Sequence, residues 1–563
     1  MLTTNGGTTM FERPTSRRPA VMGPADQPGK VWDRSIRAAG RRLGLIVAAT
    51  FLMSSPHAAE PDATAAACAA LKNTDFTDIQ DAPTQLTAAH MVAAAGEVPP
   101  HCTVEGYVAP GVGFRIRLPG QTDWNGKFSH MAPGGYGGSL EVMTTWCDDA
   151  LRRGYACITQ NTGHRGVGHD ATWAYNNLQA EFDYGIRAAN VATLAGKAIT
   201  EAFYGAAPKF SYFMGCSGGG KQALVQAQRY PWNYDGVIAV EPSNPTVTGV
   251  VQLWNALAMH GADGQPLFSP ADLDLLHAGA IAACDMLDGL KDGIIGGDPR
   301  RCKFDPGTLA CGPDRTASCL TPMQVDAARK VYSGPTTSTG RRLYFPALPG
   351  GEKGPYFTGG RTGLQYKTMW WQYMALTPDP GPGWRATDFD FDNDYKRAYM
   401  MDAVLVASDN PDLRKLRAEG NKLMIVQGWE DGGLPGPLVT VDYYDMVERL
   451  MGGRDVTQES VRLFMIPGRS HCAEGVGAAA IDMLGAMEAW VEHDRAPDIL
   501  VGAHVDVAGA YNPYRGGFLR LPADLSAAPF TRPHYPFPLE ARYKGTGDPN
   551  DYRNFEAVGP ASE

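Results

Sequence analysis

Residues 210–229 (FSYFMGCSGGGKQALVQAQR) set a short apolar run directly against a glycine-rich turn and then a helical pattern. A bounded apolar run of this length reads as a buried strand. The helix that follows, from about Gly219, has to end at Arg229, because Pro231 disfavours helical geometry at Tyr230. Between strand and helix, Gly215-Cys216-Ser217-Gly218-Gly219 matches G-x-S-x-G, the sharp turn that lifts a serine hydroxyl clear of an α/β sheet. Small residues two before and two after Ser217 let neighbouring backbone come close. The Gly218 N–H, at the helix start, can face a developing oxyanion. A glycine-rich turn between strand and helix, without a nucleophile, is the alternative.

Further apolar runs predict strands at Tyr155–Thr159, Gly236–Val240, Leu423–Gln427 and Val461–Ile466. Ile186, Ala189, Ala192, Ile199 and Phe203 recur at helical spacing and predict a helix packed on the sheet. Strands alternating with helices indicate an α/β fold with a mostly parallel sheet. The pattern breaks over residues 243–411, which carry four of the ten cysteines, clustered aspartates and Gly/Pro-rich stretches. This segment reads as an insertion into one α/β domain (60–242 with 412–563), above the strand ends where such sheets bind ligands. An independent domain placed elsewhere is the plainer reading of the same break.

A nucleophilic serine needs a base, and in this kind of fold the order is serine, acid, histidine. The strand at 423–427 leads into Gly428-Trp429-Glu430-Asp431-Gly432, and the strand at 461–466 leads into Pro467-Gly468-Arg469-Ser470-His471-Cys472. His471 would take the Ser217 proton, and Asp431 would hold the imidazole. Glu430 is the rival acid, or else a solvated loop charge. His164 precedes Ser217 and reads as a structural loop histidine; His493 falls in a helix expected at about 478–493. Cys216 directly precedes Ser217 and Cys472 directly follows His471, so contact between serine and histidine would make these cysteines neighbours able to bridge. Two buried thiols are the alternative.

The N-terminus predicts export. Arg37, Arg41 and Arg42 precede an apolar stretch of 11 residues, Leu43–Met53, followed by small residues at which cleavage near Ala59 would leave 1–59 as a leader. A start at Met10 or Met22 would shorten it, and an uncleaved anchor is the alternative. An even count of ten cysteines with no CxxC spacing agrees with disulfides in an oxidising compartment, periplasmic or extracellular. A net charge of −10 gives no electrostatic reason to expect nucleic acid or an anionic membrane as partner. No later stretch approaches 18 uninterrupted apolar residues, so the processed protein is expected off the membrane.

From about Cys68 to its end the chain resembles the tannase and feruloyl esterase family, on GCSGGG (215–220), GWEDGGLP (428–435), PGRSHC (467–472) and CDMLDGLKDGII (284–295). The resemblance implies an α/β-hydrolase fold with a large inserted lid, here 243–411, and a serine esterase with the triad Ser217, Asp431 and His471. It implies an oxyanion hole from Gly135, in PGGYGG (133–138), beside Gly218. It implies disulfides Cys216–Cys472, Cys68–Cys102, Cys284–Cys302 and Cys311–Cys319. It also implies a structural Ca²⁺ in the lid, held by Asp285, Asp288, Asp292 and the carbonyls of Leu290 and Ile294. Oxygen-only donors suit calcium, although the spacing is not that of an EF-hand loop. A solvated acidic turn beside a disulfide is the plainer reading.

The chain departs from the family pattern at Tyr535, where many members carry cysteine; Cys147 and Cys157 are then left over, with each other as an available partner. Asn161 stands where members often carry aspartate. The lid segment 355–400 matches poorly; its aromatics Tyr356, Phe357, Trp370, Trp371, Tyr373 and Trp384 would either stack an aromatic acyl group or form lid core. The function implied is hydrolysis of small esters of hydroxybenzoic or hydroxycinnamic acids, with no organic cofactor. Terephthalate or phthalate-type monoesters are a second substrate class, for which Arg361 or Arg385 would bind the free carboxylate. A calcium-stabilised secreted binding protein on a dead hydrolase fold is the reading from another class.

Overall fold

Among the described residues, nine strands form one mixed sheet: β1 (Thr84–Val92), β2 (His101–Val108), β3 (Val112–Pro119), β4 (Lys127–Ala132), β5 (Ala156–Gln160), β6 (Phe210–Cys216), β7 (Gly236–Val240), β8 (Lys422–Gly428) and β9 (Val461–Ile466). Their order is β1-β2-β3-β5-β4-β6-β7-β8-β9. The pairs β1/β2, β2/β3 and β3/β5 are antiparallel, and every pair from β5/β4 to β8/β9 is parallel. The structure is a computed structural model; it describes residues 63–141, 147–313, 318–354, 357, 363–405, 408–432, 436–472, 475–506 and 519–560. The leader at 1–59, Tyr356 and Arg361 lie outside the described residues.

Parallel neighbours need long crossovers, and helices supply them. α1 (Ala188–Tyr204) lies between β5 and β6, α2 (Gly218–Arg229) between β6 and β7, and α5 (Pro437–Met451) between β8 and β9. With helices covering both faces, β7 is buried along its whole length, which is why it reads as an unbroken apolar run. Ile186, Ala189, Ala192, Ile199 and Phe203 are all buried. Ile186, however, falls in a π-helical turn, Asp183–Arg187, that precedes α1. One extra residue per turn there shifts the face that simple helical spacing projects. The helix expected at 478–493 begins later, at Met483, because Ala480–Ile481 pairs instead as a short strand.

Between β7 and β8 the chain leaves the sheet for residues 241–421. Helices α3 (Pro245–Met259) and α4 (Gly363–Tyr373) carry the part of this segment nearest the site. Their Val250, Leu253, Trp370 and Trp371 share one apolar cluster with Tyr136 and Tyr184, which come from the segments that follow β4 and β5. No helix among the described residues is long and apolar enough to cross a membrane. Five disulfides are formed: Cys68–Cys102, Cys147–Cys157, Cys216–Cys472, Cys284–Cys302 and Cys311–Cys319.

Candidate active site

Ser217 occupies the turn from β6 into α2 with φ 60° and ψ −117°, a conformation that residues with side chains avoid. Close packing holds it there. Its N–H donates to Val240 O at 3.0 Å, and its carbonyl accepts from the N–H groups of Lys221 and Ser243 at 2.9 and 3.2 Å. A Cβ on Gly215 would lie 2.5 Å from the Gly219 backbone, and one on Gly219 would lie 2.6 Å from Ala132 O. The glycines of the motif are therefore demanded by contact, as the sequence suggested.

The glycine-rich loop after β4 meets this turn. A Cβ on Gly218 would lie 2.4 Å from Gly135 O and 3.1 Å from Gly135 N, so the two backbones touch. Gly135 has φ 58°, and a Cβ there would meet Gly168 O at 2.3 Å. Tyr136 N–H donates to that same Gly168 carbonyl at 2.8 Å, which pins the loop. Gly218 opens α2, where helix N–H groups lack partners in their own helix.

Asp431 follows β8 and His471 follows β9, so both come from the carboxyl ends of parallel strands, as Ser217 does. His471 Nδ1 lies 3.2 Å from each carboxylate oxygen of Asp431. Asp431 is buried, and its Oδ2 also accepts from Gln427 Nε2 at 3.2 Å. Gln427 is in turn fixed by Thr440 Oγ1 at 2.8 Å. The Cys216–Cys472 disulfide, with Cα atoms 5.8 Å apart, ties the residue before Ser217 to the residue after His471. At ~3.8 Å per residue step, the Cα atoms of Ser217 and His471 are then at most about 13 Å apart.

Glu430 is not a solvated loop charge. It is buried against Gly350, and burial, with Glu352 and Asp292 nearby, pushes its carboxyl up to about 8. Two charged residues near the site escaped the sequence reading. Lys221 is fully buried in α2; its Nζ sits 3.7 Å from the centre of the Tyr184 ring and donates to Tyr184 O at 3.2 Å. Glu241, at the end of β7, is fully buried with an oxygen 3.6 Å from His471 Nδ1. An acid directly after a strand and before Pro242 was the available signal. His164 is a structural histidine: it stacks on Trp173 at 3.7 Å, and burial pulls its pKa down to about 4. His493 ends the helix that begins at Met483.

A cavity of about 50 Å³ opens beside Ser217, lined by Gly135, Tyr136, Tyr184, Gly218, Thr248 and Trp370 among others. Of the aromatics singled out in 355–400, Trp370 lines this cavity, while Phe357 and Trp371 are fully buried and belong to core. Tyr373 packs edge-on to Tyr175, and Trp384 stacks on Trp371. Among the described residues, buried Trp370 Nε1 and Thr248 Oγ1 find no hydrogen-bond partner. Arg385 is exposed and ion-paired with Asp388 at 2.8 Å, so nothing places it in the cavity wall.

On the 284–295 turn, the aspartates bond to local backbone. Asp285 Oδ1 accepts from the N–H groups of Asp292 and Gly293 at 3.2 and 3.1 Å, Asp288 Oδ1 from Leu290 N–H at 3.0 Å, and Asp292 Oδ1 from Ile294 N–H at 3.1 Å. Asp292 Oδ2 is ion-paired with Arg532 at 2.6 Å. Burial, with the charge of Asp292, pushes the Asp288 carboxyl up to about 7. The donors are of the kind a hard cation takes, and Arg532 already occupies part of one of them. Two groups of three ligand-bearing side chains gather within 4.8 Å among the described residues, and both are at His471 rather than on this turn.

The comparisons with known proteins agree with one another. The family described as tannase and feruloyl esterase matches residues 96–372 and 385–558. The chain is 32% identical to mono(2-hydroxyethyl) terephthalate hydrolase of Piscinibacter sakaiensis, over 89% of this chain and 93% of that one. It is 32% identical to a probable feruloyl esterase B of Emericella nidulans, over 77% of this chain and 81% of the relative. The crystal structure of feruloyl esterase B from Aspergillus oryzae superposes with a TM-score of 0.76 at 25% identity, covering 88% of this chain and all of that one. The relatives are named as esterases and hydrolases, and this chain too is a carboxylic ester hydrolase. It belongs to the tannase and feruloyl esterase family.

Proposed function

We propose that the protein is an exported serine esterase acting on esters of aromatic acids through an acyl-enzyme. Ser217 Oγ attacks the ester carbonyl while His471 Nε2 takes its proton. Asp431 holds Nδ1–H and offsets the imidazolium charge. The N–H groups of Gly135 and Gly218 hold the tetrahedral oxyanion. His471 then protonates the departing alcohol, and water activated by the same imidazole releases the acid. The observation that carries this reading is the disulfide joining the flanks of Ser217 and His471, with Asp431 behind the ring.

In this reading the sheet is an α/β-hydrolase core (60–242 and 412–563), and 243–411 is its lid. The aromatic wall of Tyr136, Tyr184 and Trp370 supports a ring-bearing acyl group. Trp370 Nε1 and Thr248 Oγ1, which find no partner among the described residues, support oxygen substituents on that ring. Hydroxybenzoic and hydroxycinnamic esters fit this wall; terephthalate-type monoesters are the second class, with a free carboxylate for the same donors to hold. Five disulfides support export to an oxidising compartment. A Ca²⁺ held by Asp285, Asp288 and Asp292, with the carbonyls of Leu290 and Ile294, would brace the lid and supply no chemistry to the ester. Side-by-side turnover of methyl gallate, methyl ferulate and a terephthalate monoester tests the substrate class. Preference for the terephthalate monoester would overturn it.

A further inference from the structure

Glu241 stands where a carboxylate is costly. It is fully buried, and its φ of 43° lies in the left-handed region that favours glycine. Its N–H continues the β7/β8 ladder by donating to Val426 O at 2.7 Å. Its side chain turns under the histidine loop. Oε1 accepts from Arg469 Nε at 2.8 Å, and Oε2 accepts from the Cys472 N–H and lies 3.6 Å from His471 Nδ1. Arg469 is itself buried and donates to the carbonyls of Ala479, at 3.1 Å, and Cys472. Gly428 leaves the space: a Cβ there would lie 2.2 Å from Arg469 O and 3.1 Å from Glu241 Oε1.

We propose, resting on the triad reading above, that Glu241 is a positioning residue for His471: with Arg469 it anchors the histidine loop to the end of β7 and sets a second negative charge beside the imidazole. The charges around the ring come from three strand ends. Asp431 follows β8, Glu241 follows β7, and Arg469 lies on the histidine's own loop. His534, which also feels Arg469, is neutral near pH 7 because burial pulls it down to about 4. Burial pushes the Glu241 carboxyl up, and the Arg469 guanidinium opposes that. Counted as two carboxylates and one guanidinium around a neutral imidazole, the cluster holds one uncompensated negative charge. Protonation of His471 during acyl transfer removes that excess, so the buried charges favour the imidazolium where the reaction needs it.

The test compares E241Q, E241D and the charge-balanced pair E241Q with Arg469→Met, each normalised to the serine labelled by a fluorophosphonate. E241Q should lower kcat about tenfold with KM within about twofold, and should move the acid limb of kcat/KM down by about half a pH unit. E241D should restore the limb. The double variant removes the ion pair as a unit, so it should fold even if E241Q does not. Its kcat per labelled serine should stay low because the anchor is lost, while Asp431, again uncompensated beside the ring, should return its acid limb toward that of the wild type. Wild-type kcat in either glutamine-bearing protein, or a wild-type acid limb in E241Q, would overturn the role of Glu241. Absence of labelling in the wild type would instead overturn the triad reading on which it rests.

Discussion

Asp431 and His471, 40 positions apart in sequence, meet with both carboxylate oxygens 3.2 Å from Nδ1. A carboxylate so placed fixes the tautomer that leaves Nε2 free to accept a proton. Asp431→Asn should lower kcat by about 10³- to 10⁴-fold with little change in KM. Steady-state kinetics on a p-nitrophenyl ester check this, and a loss under tenfold would show that the imidazole does not depend on Asp431.

The Cys216–Cys472 bridge spans 256 positions. Chain entropy alone sets its contribution at about 5.5 kcal/mol, an upper figure because unfolded chains retain structure. Replacing both cysteines by alanine should lower Tm by several degrees and kcat by at least about tenfold, since the bridge also sets the spacing of serine and histidine. Calorimetry and turnover on the same preparation separate the two effects; an unchanged kcat would mean that packing alone holds the loops.

Gly135→Ala puts a methyl group onto Gly168 O, at a backbone angle that suits glycine. The loop has to shift, and with it the proposed oxyanion donor. Turnover should fall by about 10²-fold while substrate affinity changes little. Wild-type kcat in this variant would remove Gly135 from the oxyanion hole.

Glu430 carries a pH signature. Its folded pKa, about 8, lies above its ordinary value, so its protonated form is the one the fold favours. That contribution is fully present below the unfolded carboxylate pKa and is lost as pH rises through about 8. Glu430→Gln, which cannot ionise, should therefore raise Tm relative to the wild type at pH 9 and change it little at pH 5. Melting curves at both values decide; an equal shift at the two would contradict a buried, titrating Glu430.

Calcium removal should act on stability rather than chemistry. Excess chelator should lower Tm by several degrees and leave turnover per folded molecule unchanged at a temperature well below the transition. An unchanged Tm would count against a cation on the 284–295 turn.

Strand positions were legible where burial is two-sided: Gly236–Val240 and Val461–Ile466 stand at the residues their apolar runs mark. The π turn before α1 was not, because one extra residue changes the helical phase without changing composition. At the candidate site, the positions of Ser217, Asp431 and His471 just after β6, β8 and β9 were readable because each follows an apolar run. Glu241 was not, since its meaning lies in contacts with Arg469 and Cys472, 228 and 231 positions away. A lone acid after a strand looks like a surface charge until those partners are in view. Glu430 was left open between rival acid and solvated loop charge, because nothing local marks a loop glutamate as buried; the structure removes the second.

The most direct measurement pairs Ser217→Ala with the wild type, comparing ester hydrolysis and labelling by a fluorophosphonate probe under one set of conditions. A single label is expected on wild-type Ser217, none on the variant, and turnover is expected to be lost in a variant whose melting temperature is preserved. Hydrolysis of p-nitrophenyl esters at the wild-type rate by the folded variant would contradict it.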